Sequence, residues 1–287
     1  MVNTSGEINA LLNLIEDPDE EVFGSITARF IGFGIEVIPF LEDHKLQCAN
    51  EELIRKTDYI IASISLSQFS NAIKGWYEGE DKSILEAALI ISTYLEKEMD
   101  RDLVVAEIER LRKSIWLELN DYLTPLEEIN VINKIIFGYF NITGNEIAYN
   151  EQKDFDICQS LFGKNGNALP IGAIYLVMAE MLGIPIKPVD IPKQHLLCYA
   201  EAADPFALDN KEIILFYIDP LNGQVYTHRD IENYLKKINH TPYPYSFSPS
   251  ENHAYIRKWI VEIANCAKEK LDDHTYGVLK NLARMIE

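Results

Sequence analysis

Apolar residues recur at helical spacing through the first 140 residues, and alternation appears only after residue 184. Ile8, Leu11, Leu12 and Ile15 fall at i, i+3, i+4 and i+7, the stripe of an amphipathic helix. Glu16-Asp17-Pro18-Asp19 breaks it, and a second helix is expected from Glu20 to Gly34, continuing over Ile35 to Leu41. Pro39 should kink or end that segment. Further helices are predicted over Glu51 to Ala62, Gln68 to Tyr77, Ser83 to Glu98 and Leu103 to Leu119. Thr124-Pro125-Leu126-Glu127 is a helix start: the threonine can accept from orphan amides, proline suits the first helical position, and Glu127 can reach back. The helix that follows carries Ile129, Ile132, Ile136 and Tyr139/Phe140 on one face.

Strand spacing begins with Ile184 to Val189 and His195 to Glu201, and is clearest from Glu212 to Ile218. Asp219-Pro220-Leu221-Asn222-Gly223 is a turn, Gln224 to Tyr226 a short return strand, and Thr227 opens a helix to about Ile238. The run Pro242-Tyr243-Pro244-Tyr245 reads as a rigid connector clamped to the core, and Ser250 to Glu287 as helical. The pattern predicts a mostly helical α+β protein, with a helical region over 1–120, a second region over 121–287, and a small antiparallel sheet confined to Ile184 to Tyr226. Leu11 to Leu41, with its Asp-Pro-Asp-Glu-Glu-Val turn, resembles a HEAT-type helical repeat; one copy does not support a solenoid.

Composition narrows the function classes. The chain of 287 residues is 47% hydrophobic and 25% charged, with a formal net charge of −19. That charge repels phosphate backbones and anionic lipid head groups, so neither nucleic acid nor membrane is expected as a partner. It serves solubility, and otherwise suits a basic partner. No apolar stretch approaches the ~20 residues of a membrane span, and the N-terminus does not look like a secretory signal. Cys48, Cys158, Cys198 and Cys266 are far apart and form no CxxC pair, which reads as free thiols in a reducing, cytoplasmic setting. His228, His240 and His253 lack metal-ligand spacing, and Gly163-Lys164-Asn165-Gly166 is too short for a phosphate loop, so it reads as a loop capping the preceding helix. No metal or cofactor is expected.

The most informative stretch runs from Gly166 to Pro185. Its middle is apolar nearly all round, as in a helix buried on most faces, and Gly183 ends it before Ile184-Pro185 starts an extended segment. Leu182-Gly183-Ile184-Pro185, then Pro192 to Tyr199 around His195, then Tyr217-Ile218-Asp219-Pro220 follow in an order that resembles the transglutaminase-like superfamily of papain-like fold, in its bacterial SirB-type branch. Thr143 to Tyr149 resembles a further SirB-type feature.

The resemblance implies a Cys-His-Asp triad in active members. The thiol stands at the start of the central helix, the histidine takes its proton, and the aspartate fixes the imidazole. His195 and Asp219 match the base and orienter, while the superfamily spacing puts the nucleophile at or near Ala168. No cysteine or serine occurs from Leu161 to Leu197. The resemblance therefore implies a non-catalytic binding or scaffold module with a remnant His195/Asp219 groove. Asn167, a helix cap, and Gln194 are candidate ligand contacts in that groove, which would hold a peptide or small ligand.

Two rivals stay open: an amide hydrolase or transferase using another nucleophile or an activated water, and a structural subunit that binds a basic partner. Cys198 lies three residues after His195 on the same expected strand and should face the other side of the sheet. Cys158 would reach the groove only if its loop folds back. Oligomeric state is left open.

Overall fold

The computed structural model describes residues 4–96, 99–147, 149–203, 212–241 and 247–286. It forms two compact units, Met1–Ile73 and Lys74–Glu287. The division at 120 expected from the sequence therefore lies inside the second unit. The Pro242–Tyr245 connector falls outside the described residues.

The first unit contains helices α1 (Thr4–Leu14), α2 (Glu20–Phe33), α3 (Ile38–Gln47) and most of α4 (Glu51–Glu78). Asp19 caps α2 by accepting from the Glu21 amide. Ile15, Phe30, Leu41, Ile60 and Ile64 are fully buried in the unit's core. Pro39 does not end a helix, contrary to expectation. The break comes earlier, in a 3-10 turn over Gly34–Val37, and the proline sits in the first turn of α3, where its missing N–H costs nothing. Over an 18-residue window the run Glu20–Gln47 reaches a mean hydropathy of 1.4, apolar enough for a membrane span by length and composition. The sequence expectation counted uninterrupted apolar residues, and Arg29 and Glu36 interrupt this run.

The two helices expected over 51–62 and 68–77 are one. Ser65 and Ser70 lie in and just after the gap, and each hydroxyl donates to the carbonyl four residues back, which keeps serine compatible with a continuing helix.

The second unit is built around α9 (Ala168–Leu182), whose residues Ala168 to Ala179 are all buried. Helices α5 (Ile84–Leu95) and α6 (Arg101–Trp116) pack against it, as does the short α8 (Ile157–Leu161). Glu180 of α9 accepts from the Ile84 amide at 3.3 Å, closing the N-terminus of α5. Helix α7 (Pro125–Asn133) begins with the expected capping box between Thr124 and Glu127, then passes into a π-helical turn over Lys134–Tyr139. Ile129, Ile132 and Ile136 are buried as expected, whereas Tyr139 is exposed.

Four antiparallel strands lie in the order β3 (Ile186–Pro188), β4 (Leu197–Ala202), β5 (Glu212–Ile218) and β6 (Val225–Tyr226). One sheet face carries Cys198, Ala200, Ile214 and Tyr217 against Ile231 and Leu235 of α10 (His228–Lys237). A bulge at Tyr199/Ala200 shifts the register, so Ile214 joins Tyr217 on that face despite an odd spacing. The edge strand β3 ends in Pro188, and the chain beyond it makes a bridge from Val189 to Pro249. The antiparallel sheet lies within 184–226 as expected, and a separate two-residue parallel pair joins β1 (Thr143–Gly144) to β2 (Asn165–Gly166). Two residues are too few to show a period. Helices α11 (Asn252–Glu269) and α12 (Asp273–Met285) complete the chain, packed on each other.

Candidate functional site

Asn167 caps α9: it is fully buried, and its Oδ1 accepts from the Leu169 amide at 2.9 Å. Ala168 is the first residue of that helix. Tyr255 of α11 crosses the same turn, and its hydroxyl donates to the Leu169 carbonyl at 2.6 Å. Gly172 makes room for it, since a Cβ there would lie 2.3 Å from the Tyr255 hydroxyl.

The backbone at Ala168 also acts on Tyr149, a residue in the loop after β1, opposing the effect of burial on its phenol. The Tyr149 ring stacks on His195 at a centroid distance of 5.9 Å and 23° between planes, and meets Phe155 edge-on. Burial, together with the negative charges of Glu262 and Asp219, pushes the Tyr149 phenol up to about 12. Cys266 of α11 donates to the Asn150 carbonyl at 3.3 Å, pinning the loop next to this tyrosine.

His195 lies ahead of β4 rather than on a strand. The turn through Pro192 and Lys193, with Lys193 in the left-handed region at φ 59°, delays the strand to Leu197. Burial and the nearby Lys258 ammonium lower its pKa to about 4, so the imidazole is neutral at pH 7. Lys258 is held by Asp190 at 2.7 Å and by the Val189 carbonyl at 3.2 Å. The Nδ1 atom of His195 is buried and makes no hydrogen bond. Gln194 precedes it, half-buried, with its amide on the Ile191 carbonyl at 3.2 Å.

Asp219 follows the last residue of β5, and its Oδ1 accepts from the Leu221 amide at 2.9 Å. Burial raises its pKa, the Leu221 bond opposes this, and Glu146 adds to it. Pro220 lies beside Gly172, and the Asp219 charge is felt at both Tyr149 and Tyr175. His195 is thus stacked on Tyr149, Asp219 bears on that phenol through its charge, and no hydrogen bond joins His195 to Asp219.

Close approach fixes this turn: a Cβ on Gly144 would lie 2.2 Å from the Leu221 carbonyl oxygen, a backbone atom that cannot swing aside. Gly144→Ala is expected to cost about 1–3 kcal/mol. The urea midpoint reads the loss, and an unchanged midpoint would contradict the packing of β1 on the Asp219 turn.

The thiols lie elsewhere. Cys198 is buried on the α10 side of the sheet, donates to the Lys187 carbonyl at 3.5 Å, and is pushed up to about 12 by burial. Cys158, in the first turn of α8, is likewise pushed up to about 12, by burial and then by Asp156. Burial also raises Cys266. The Gly163–Gly166 loop does cap the helix before it, with the Lys164 ammonium donating to the Leu161 carbonyl of α8. Among the described residues no group of three or more His, Cys, Asp or Glu side chains is placed to hold a metal. His228 instead sits between the rings of Tyr217 and Phe247.

Tyr149, Tyr255 and Lys258 escaped the sequence reading as site residues. The one available signal was Tyr149 at the end of the Thr143–Tyr149 feature; Ala148 within that feature lies outside the described residues.

Comparison with known proteins agrees with this architecture. The family model described as the transglutaminase-like superfamily matches residues 102–261. SirB1 of Salmonella typhimurium is 22% identical over 160 residues, covering 56% of either chain. The UPF0162 protein YchA of Escherichia coli is 21% identical over the same length and shares. F-box only protein 21 of Mus musculus is 28% identical over 105 residues, 36% of this chain and 16% of its own. The chain thus spans about half the length of the bacterial relatives it matches. No solved structure gives a significant match. With the family model covering more than half of its residues, the chain belongs to the transglutaminase-like superfamily, and its SirB1 relatives place it in the SirB-type branch.

Proposed function

We propose that this protein is a non-catalytic member of its superfamily, acting in the cytoplasm as a binding or scaffold module that keeps His195 and Asp219 from a hydrolase-like site. One observation carries this reading: a methyl side chain, Ala168, stands at the start of α9 where the resemblance puts the nucleophile, and the ring of Tyr149 stacks on the imidazole. A thiol nucleophile there would draw on the helix N-terminus and on a histidine able to accept its proton. Here the phenol of Tyr149 is too weak an acid at about 12 to replace a thiolate at neutral pH. The neutral His195 offers no imidazolium to stabilise a thiolate elsewhere. Four free cysteines, of which Cys158, Cys198 and Cys266 are held above the usual thiol range by burial, fit both the cytoplasmic setting and the lack of thiol chemistry.

The test compares wild type with His195→Ala on generic amidase, peptidase and transamidase substrates, alongside iodoacetamide labelling at pH 7.5. Expected are no difference in turnover and no cysteine that labels faster than free cysteine. Turnover that depends on His195, or one rapidly labelled thiol at Cys158 or Cys198, would replace this reading with that of an enzyme using another nucleophile.

A further inference from the structure

At the far end of α9 from Ala168, about 21 Å along a 15-residue helix, the surface opens into a groove of about 530 Å³. Its walls come from the end of α6 and the following loop (Trp116, Leu117, Asp121), from Glu128 of α7, and from Leu182 and Ile184 around the end of α9. Two properties of this groove stand out.

The first is exposed apolar surface. Trp116 is 61% exposed and Leu117 75%, and Tyr122, next along the chain from Asp121, is 94% exposed. Solvent-exposed large side chains are common singly, but a tryptophan and leucine side by side at the mouth of a groove form an anchor site.

The second is electrostatic. Helices α6 and α9 both end here, so two sets of last-turn carbonyls and two negative dipole ends converge. Gly183, left-handed at φ 70°, and Ile184 both return their amides to the Ala179 carbonyl, which leaves the later carbonyls of α9 without those donors. The carboxylates of Asp121 and Glu128 add to the same field, and Glu128 is fixed by the Tyr199 hydroxyl at 2.7 Å. Among the described residues no lysine or arginine lines the groove. The nearest bases in sequence are already paired, Lys113 with Glu109, Lys134 with Glu118 and Lys187 with Glu212.

We infer that this groove docks a basic peptide segment of a partner protein, with an apolar side chain against Trp116 and Leu117 and a lysine or arginine beside Asp121, Glu128 and the two helix ends. An arginine or lysine there also gains from the face of the indole. The complementarity is local, in addition to the attraction any cation feels for a chain of net charge −19.

Fluorescence anisotropy with the full chain tests it. The probe is a fluorescein-labelled 12-residue peptide of alternating lysine and leucine, with two comparison peptides that carry glutamate for lysine or serine for leucine. The lysine–leucine peptide should bind, and its Kd should rise at least five-fold with Trp116→Ala and at least ten-fold with Asp121→Lys. Asp43→Lys, which makes the same charge change in the first unit, should leave Kd within two-fold. Both substituted groove positions are exposed, and unchanged circular dichroism certifies folding. Equal weakening by Asp43→Lys would reduce the effect to overall charge and overturn the inference. So would equal binding of the lysine–serine peptide, or no binding of the lysine–leucine peptide.

Discussion

Trp259→Ala is expected to lower the stability of the second unit by about 3–5 kcal/mol. Trp259 is the largest fully buried side chain in the described residues, placed on α11 edge-on to Tyr255. Truncation removes most of a bicyclic ring from water-free packing and leaves a void beside the 152–155 turn that the surrounding backbone cannot close. It also strips the Phe155 carbonyl of the indole N–H that donates to it at 3.1 Å, and a buried acceptor left alone costs about 1–3 kcal/mol of that total. Urea unfolding at pH 7 measures the loss. Trp259→Phe, which keeps much of the volume but not the donor, should fall between the two. A loss under about 1.5 kcal/mol for the alanine variant would mean that the contact between α11 and the 152–155 turn is not tight.

The second large effect is a dependence on acid. The native imidazole of His195 takes a proton only near pH 4, whereas in the unfolded chain it does so near 6.5. Above about pH 6.5 it is neutral in both states and contributes no slope. Between 6.5 and 4 the unfolded state binds the extra proton, so native stability falls as pH falls through that window, by about 3 kcal/mol in all. Below pH 4 the loss is complete. His195→Phe retains a ring to stack on Tyr149 and has nothing to protonate. The stability of that variant relative to wild type should therefore grow by about 2–3 kcal/mol between pH 7 and pH 4, while the carboxylates common to both cancel. Parallel pH profiles for the two proteins would show that the histidine is solvated. The same substitution removes the unpartnered Nδ1, so the variant should be no less stable than wild type at pH 7.

How much of this was legible in the sequence depended on the range of the interaction that fixes each feature. Glu212 to Ile218 alternates within itself, and β5 has those bounds. Thr124 and Glu127 carry their capping box within four residues, and Thr227 with Asp230 repeats it at α10. Gly183 needs only its own backbone conformation to end α9. The join of α4 was hidden because serine is a poor guide: its hydroxyl can end a helix or bond back within one. The site was legible in its parts and not in its arrangement. His195, Asp219 and Ala168 could be named from their order, but Tyr149 meets His195 through ring stacking across 46 positions, which leaves no trace in spacing.

The sheet's outer border bears on how any peptide can be recognised. A strand added from another chain needs a row of free amides and carbonyls on an open edge. On the β3 side that row is only three residues long, ends in a proline with no amide to give, and is followed by the Val189–Pro249 bridge. Main-chain zippering is therefore blocked on that side, and a ligand there must be read through its side chains. This shifts the burden of selectivity from backbone shape to sequence, so binding should discriminate among peptides of equal length and differ little between extended and helical ones.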